Sequence, residues 1–136
     1  MNQPNTSALP VTGASPPEAK VALFRSLFRG RDDVYAYRFE SARSGHSGYQ
    51  PACAHEWVRG LCEKPKVRCA QCGHRRFLPV TDDVVRAHLS GIDARGRPFV
   101  MGLYPLLTDE HCWWVAADFD KAAWRDDVRA LAETCA

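Results

Sequence analysis

Asp118 and Asp120 are the residues whose types and spacing most directly suggest chemistry. They close the apolar run Cys112-Trp113-Trp114-Val115-Ala116-Ala117-Asp118-Phe119-Asp120-Lys121. In a β-strand, residues i and i+2 face the same way, so the two carboxylates would project side by side from a strand end. Mg²⁺ takes oxygen ligands of this kind and fills its other positions with water and phosphate oxygens. Paired ions so held serve phosphoryl displacement in polymerases and nucleases. A solvated Asp pair at a strand end is the competing reading. Against it stand the apolar character of the run and the poor strand preference of Asp.

A second constellation is Cys53, Cys62, Cys69 and Cys72, in the pattern C-x8-C-x6-C-x2-C. Two thiolates separated by two residues can grip one tetrahedral ion from a tight turn, and Gly73 follows with the backbone freedom such a turn uses. Four thiolates make a closed structural Zn²⁺ site with no open position for catalysis. His55 and His74 are alternative ligands, or surface residues and phosphate contacts. Cys112 and Cys135 stand apart and are expected as small core residues or incidental ones. Lys64, Lys66, Arg68, Arg75 and Arg76 surround the cysteines, so the segment either binds nucleic acid or merely stabilises a loop.

The 136 residues suffice for one domain with a core and not for two independent ones. The net charge of +2 predicts no partner by itself. Its distribution is more informative, because Arg25, Arg29, Arg31, Arg38 and Arg43 cluster early while acids gather in the last third. A basic half facing a metal-binding acidic pair suits a polyanion, and a solvated basic face is the alternative. No run reaches the length of a membrane span, and the N-terminus lacks a secretory signature, so a soluble, cytoplasmic protein is expected. Cysteines in such a chain point to metal more than to disulfides.

The elements that must position these residues can be read from periodicity. Residues 1–14, rich in polar residues, Pro and Gly, are expected to form a disordered leader. Ser15-Pro16-Pro17-Glu18 has capping-box form, with Ser15 as N-cap of a helix carrying Val21, Phe24 and Phe28 and stopping at Gly30. Tyr35, Tyr37 and Phe39 alternate as in a half-buried strand from Asp33 to Phe39, and a Ser/Gly loop follows from Ser41 to Gly48. Thr81, Asp82 and Asp83 start a helix with Val84, Val85, His88 and Leu89, and a turn at Ile92–Pro98 follows Gly91. Phe99–Leu107 and Cys112–Phe119 suit a hairpin of buried strands. Trp124, Val128, Leu131 and Ala132 predict a final amphipathic helix packed on the sheet. The fold class is α+β, mixed α/β, with a small zinc-knuckle insertion at 53–74.

Several segments together resemble the primase-polymerase domain of the archaeo-eukaryotic primase superfamily, in its branch linked to bacterial TOTE conflict systems. They are 23–35 (Leu-Phe-Arg-Ser-Leu-Phe-Arg-Gly-Arg-Asp-Asp-Val-Tyr), Ser47–Cys53, Trp57–Pro65, Phe77–Asp82, Gly102–Leu107 and Ala116–Lys121. They occur in the expected order and cover nearly all of the chain after residue 20. The resemblance implies a DNA primase/polymerase-type nucleotidyltransferase whose first catalytic motif holds Mg²⁺ or Mn²⁺ on Asp118 and Asp120. It implies DNA, with RNA as a second candidate, and nucleoside triphosphates as partners, and a helicase and nuclease as companions in an anti-invader system. The superfamily's later motif supplies a His that contacts nucleotide phosphates, and a further acid completes its metal site. His88 and His111 precede the acidic pair, so residues 15–136 are expected to be the N-terminal part of the domain, with an incomplete site that its missing C-terminal half would complete.

On this reading Arg25, Arg29 and Lys121 meet phosphates, and Tyr104 stacks on a sugar or base. The alternatives are a solvated helix start for Lys121 and core packing for Tyr104 beside Pro105, Leu106 and Leu107. A non-catalytic, zinc-containing nucleic-acid-binding module is the second function, and a metal-dependent nuclease the third.

Overall fold

The computed structural model describes residues 10–136. Its elements are α1 (Pro17–Leu27), β1 (Ala36–Glu40), β2 (Ser47–Pro51), a 3-10 turn (Cys69–Gln71), α2 (Asp82–Ser90), β3 (Met101–Gly102) and α3 (Trp124–Thr134). The mixture of helices and an antiparallel sheet agrees with the α+β expectation. Of the leader expected at 1–14, residues 1–9 lie outside the described residues, and Gly13–Ala14 form a turn before α1.

β1 is the central strand of the order β2-β1-β3. It pairs antiparallel with β2 in the register Tyr37↔Gln50 and with β3 in the register Ala36↔Gly102. Along β1, burial alternates as a half-covered strand requires, with Tyr37 and Phe39 sheltered and Arg38 and Glu40 exposed. One face carries the core, where Tyr35, Ala52 and Met101 meet Val21 of α1 and Val85 of α2. Each fully buried aliphatic side chain there contributes about 1.5–3 kcal/mol relative to exposure, and Val85 is wholly enclosed.

α2 forms as its caps require. The Thr81 side chain accepts from the Val84 N–H, Asp82 and Asp83 occupy the first turn, and Gly91 closes the helix in the left-handed conformation. At α1 the cap differs from expectation. Pro16 is the N-cap with no side-chain bond, because the Ser15 hydroxyl instead accepts from the Thr12 N–H at 2.9 Å. The helix ends at Phe28, before Gly30. Gly30 has another role, since a Cβ there would lie 2.6 Å from the Tyr104 carbonyl oxygen.

Four expectations are corrected. Ser47 and Gly48, expected as the end of the loop, open the strand β2, because their backbone pairs with β1 although neither residue has strand preference. Cys112–Phe119 is not a strand, and Val115 is 85% exposed. The turn Leu107–His111 forms, with the Leu107 N–H donating to the His111 carbonyl at 2.8 Å. Beyond it Trp114 packs on Phe28 and the exposed Trp113 on Arg29, both just past the end of α1, instead of on a sheet edge. Cys112 and Cys135 are accordingly exposed, not core. The final helix forms as α3, but none of its residues is buried, so it does not pack on the sheet as expected.

Candidate functional site

The end of α1 and the loop after it gather three arginines around a cleft of about 240 Å³, lined also by Phe24, Phe28 and Trp113. Their environments differ. Arg25 donates to the Asp82 carboxylate at 2.5 Å, joining α1 to the first turn of α2. Arg31 makes a two-pronged bond to Asp33 at 2.9 and 2.6 Å, which holds the Asp33 carboxyl below its ordinary value and raises the guanidinium. Arg29 has no carboxylate partner among the described residues, and its guanidinium carbon lies 3.5 Å from the centroid of the Trp113 ring.

The same contact connects the cleft to the acidic pair. Trp114 meets Phe28 edge-on, with ring centroids 5.7 Å apart, so neighbouring tryptophans hold the start of 113–120 against α1. Asp118 and Asp120 follow on an irregular stretch, both exposed and neither ion-paired among the described residues. Two free carboxylates one residue apart are a suitable oxygen donor set for a hard divalent cation. Lys121 is exposed beside them. Tyr104 is half-buried, its carbonyl accepts the Arg31 N–H at 2.9 Å, and burial raises its hydroxyl's pKa while the charge of Arg31 opposes that rise.

Cys53, Cys62, Cys69 and Cys72 are all half-buried free thiols, and they line one small cavity of about 20 Å³. That space is about what one water-sized sphere occupies. The Arg76 N–H donates to the Cys53 sulfur at 3.3 Å, and the 3-10 turn brings the Cys72 N–H to the Cys69 carbonyl at 3.3 Å. The His55 Nδ1 is engaged with the His74 carbonyl at 2.6 Å. Among the described residues no three His, Cys, Asp or Glu side chains stand as a ready metal cage. Thiols are the soft donor type that Zn²⁺ takes.

A polar network beside this cavity has no signal in the sequence. Lys64 donates to Glu56 at 2.9 Å and to Gln50 at 3.0 Å, Tyr37 donates to Glu56 at 2.7 Å, and Gln50 also contacts the Tyr37 hydroxyl. Lys64 and Glu56 are only 14% and 13% exposed. Burial works to lower the Lys64 pKa, but the Glu56 carboxylate, with Cys69 behind it, outweighs that and the net shift is upward. The same carboxylate adds to burial in raising the Tyr37 hydroxyl. The network ties the cysteine loop to β1 and β2. Sequence reading missed it, as it missed Trp113, because nothing local marks which distant partner a Glu, Gln or Trp will meet.

The family described as the TOTE conflict system archaeo-eukaryotic primase domain matches residues 19–136. The chain belongs to that family. Neither the curated proteins nor the solved structures compared with it yield a match. As a primase-type domain of a conflict system, it belongs with proteins that handle nucleic acid and nucleotides. The matched span contains both Asp118 and Asp120, the arginine cleft and all four clustered cysteines. Among the described residues no helix is long and apolar enough to cross a membrane.

Proposed function

We propose that this domain performs template-directed nucleotidyl transfer, with Asp118 and Asp120 as the first two carboxylates of a divalent-metal site. The observation that carries the reading is that both acids are exposed and free of ion pairs within the region matched to the primase family. Mg²⁺ or Mn²⁺ on such carboxylates would neutralise phosphate charge and favour formation of the attacking oxyanion. Around that centre, Arg29 is the better placed phosphate contact, because Arg25 is already engaged by Asp82. Lys121 offers a further charge beside the acids. The Tyr104 ring is half-buried and its backbone carbonyl holds the Gly30–Arg31 loop, which favours a positioning role over stacking on a base.

The four cysteines would hold a structural Zn²⁺ that closes the 53–74 loop. DNA or RNA and nucleoside triphosphates are the partners this reading requires, with a helicase or nuclease as companion proteins.

Primer synthesis and extension with Mg²⁺ or Mn²⁺, measured on this domain in its full-length protein, tests the reading. Asp118→Asn and Asp120→Asn should each abolish incorporation while leaving the melting temperature unchanged. Undiminished incorporation in both variants would overturn it, and metal-dependent strand cleavage without incorporation would make the site a nuclease instead.

A further inference from the structure

The loop 53–76 is strongly basic: Arg59, Lys64, Lys66, Arg68, Arg75 and Arg76 stand against only Glu56 and Glu63, a net +4 in a chain whose total is +2. Lys64 is consumed by Glu56, yet among the described residues the other five cations form no ion pair. At the edge of this surface Trp57 is 67% exposed and makes no ring–ring contact. Among the described residues the one cation over its ring is the Lys64 ammonium, 5.5 Å from the centroid.

A single exposed tryptophan is ordinary, and its backbone is what sets this one apart. Trp57 has φ of 59°, a left-handed conformation that a bulky residue adopts only when its surroundings impose it. They do so here. The Glu56 N–H donates to the Cys53 carbonyl and the Val58 N–H to the His55 carbonyl, both at 3.1 Å, and the Cys62 N–H closes back on the Val58 carbonyl at 2.9 Å. The Ala54 N–H is bound by the Arg76 carbonyl at 2.8 Å, anchoring the turn to the chain that leaves the loop. A turn fixed by these bonds thus holds a large apolar ring in water, on the same loop as five cations that form no ion pair among the described residues.

We propose that Trp57 is a base-stacking platform for single-stranded nucleic acid, whose backbone runs over Arg59, Lys66, Arg68 and Arg76. Charge complementarity selects a polyanion, and an exposed indole adds an element that a polyanion without bases cannot use. A single strand is the occupant because a base in a duplex has its faces already stacked. The choice of nucleic acid rests on the nucleotidyl-transfer reading. The surface itself involves neither Asp118 nor Asp120, so a strand held there is gripped independently of the chemical step.

The test compares binding of a labelled oligothymidine, a blunt DNA duplex and inorganic polyphosphate by fluorescence anisotropy. Trp57→Ala should weaken oligothymidine binding roughly 5- to 150-fold, the range for losing one stacked base. Trp57→Phe should retain most of the affinity, while polyphosphate binding and the salt slope stay as in the parent protein. Arg59→Gln with Lys66→Gln should weaken all three probes and reduce the salt slope for the single strand by about 0.7 per charge removed. Unchanged oligothymidine binding by Trp57→Ala, an equal loss for polyphosphate, or tighter binding of duplex than of single strand by the parent would each overturn the proposal. Near-ultraviolet circular dichroism of Trp57→Phe guards against a folding artefact, since that variant keeps an aromatic ring on the same turn. Asp118→Asn should bind the oligonucleotide normally, so failure of incorporation and failure of the platform are read separately.

Discussion

The guanidinium carbon of Arg29 lies 3.5 Å from the centroid of the Trp113 ring, and this contact joins the end of α1 to the segment that leads into Asp118 and Asp120. Exposed cation–π pairs are worth about 0.5–1 kcal/mol. Arg29→Ala and Trp113→Ala should therefore each lower urea stability by about that amount, with the double variant costing less than the sum of the singles. Arg29→Lys should preserve less stability than its charge suggests, because an ammonium lacks the planar face that stacks on indole. Strict additivity in the double-mutant cycle would show that the pair carries no coupling.

Gly30 is required for space rather than for backbone freedom. Its α-hydrogen occupies the position from which a methyl would meet the Tyr104 carbonyl oxygen at 2.6 Å, and a carbonyl that also receives the Arg31 N–H cannot simply move away. Gly30→Ala should cost about 1–3 kcal/mol, the usual range for overpacking. Gly102→Ala is the comparison, since its methyl would find only ordinary contacts at 3.4 Å with Ala36 and Tyr49. Thermal melts of the two variants should differ clearly, and equal midpoints would contradict the steric account.

His88 should make the fold sensitive to mild acid. Burial depresses its pKa from the ordinary 6.5, and its Nδ1 accepts the Met101 N–H at 3.3 Å while Phe24 packs on the ring. As pH falls below 6.5 the unfolded chain takes up this proton first. The stabilisation is thus complete above that pH and declines below it, with a slope of up to about 1.4 kcal/mol per pH unit until the folded-state pKa is reached. His88→Gln, which retains an acceptor, should flatten that part of the stability profile. An unchanged slope in urea melts run across this range would exclude His88 as its source.

Zinc removal offers a direct test of the cysteine cavity. The purified protein should carry Zn²⁺, and Co²⁺ in its place should show thiolate charge-transfer bands. Serine at any of Cys53, Cys62, Cys69 or Cys72 should cost more than the roughly 10–100-fold in affinity that loss of an outer-shell partner costs. Cys112→Ser and Cys135→Ser should leave metal content unchanged, as both are exposed and lie outside the cavity. Full zinc content in a variant lacking Cys69 and Cys72 would refute the four-thiol assignment.

Where structure is made by neighbours in the chain, it was legible beforehand. α2 has its Thr81 cap, its acidic first turn and its terminal Gly91 within eleven residues, and each acts through a local bond or a local dipole. The alternation at Tyr35, Tyr37 and Phe39 announced β1. Family membership was equally legible, because it resides in the order of short motifs. The misplaced segments near the C-terminus have one common cause. The apolar runs at 112–119 and 124–132 record that these side chains favour leaving water, but hydrophobicity carries no address.

The sequence alone therefore determined the residue types available for chemistry: two carboxylates one residue apart, four thiols in a tight spacing, and cations concentrated around them. Tertiary structure decided which of them are free to act. Asp82 occupies Arg25, Asp33 occupies Arg31 and Glu56 occupies Lys64, whereas Arg29, Asp118, Asp120 and the other loop cations form no ion pair among the described residues. Partners such as Arg25 and Asp82 lie 57 positions apart in the chain, so only the folded backbone brings them within bonding distance. An ion pair depends on distance in space, and no periodicity along a sequence encodes that distance.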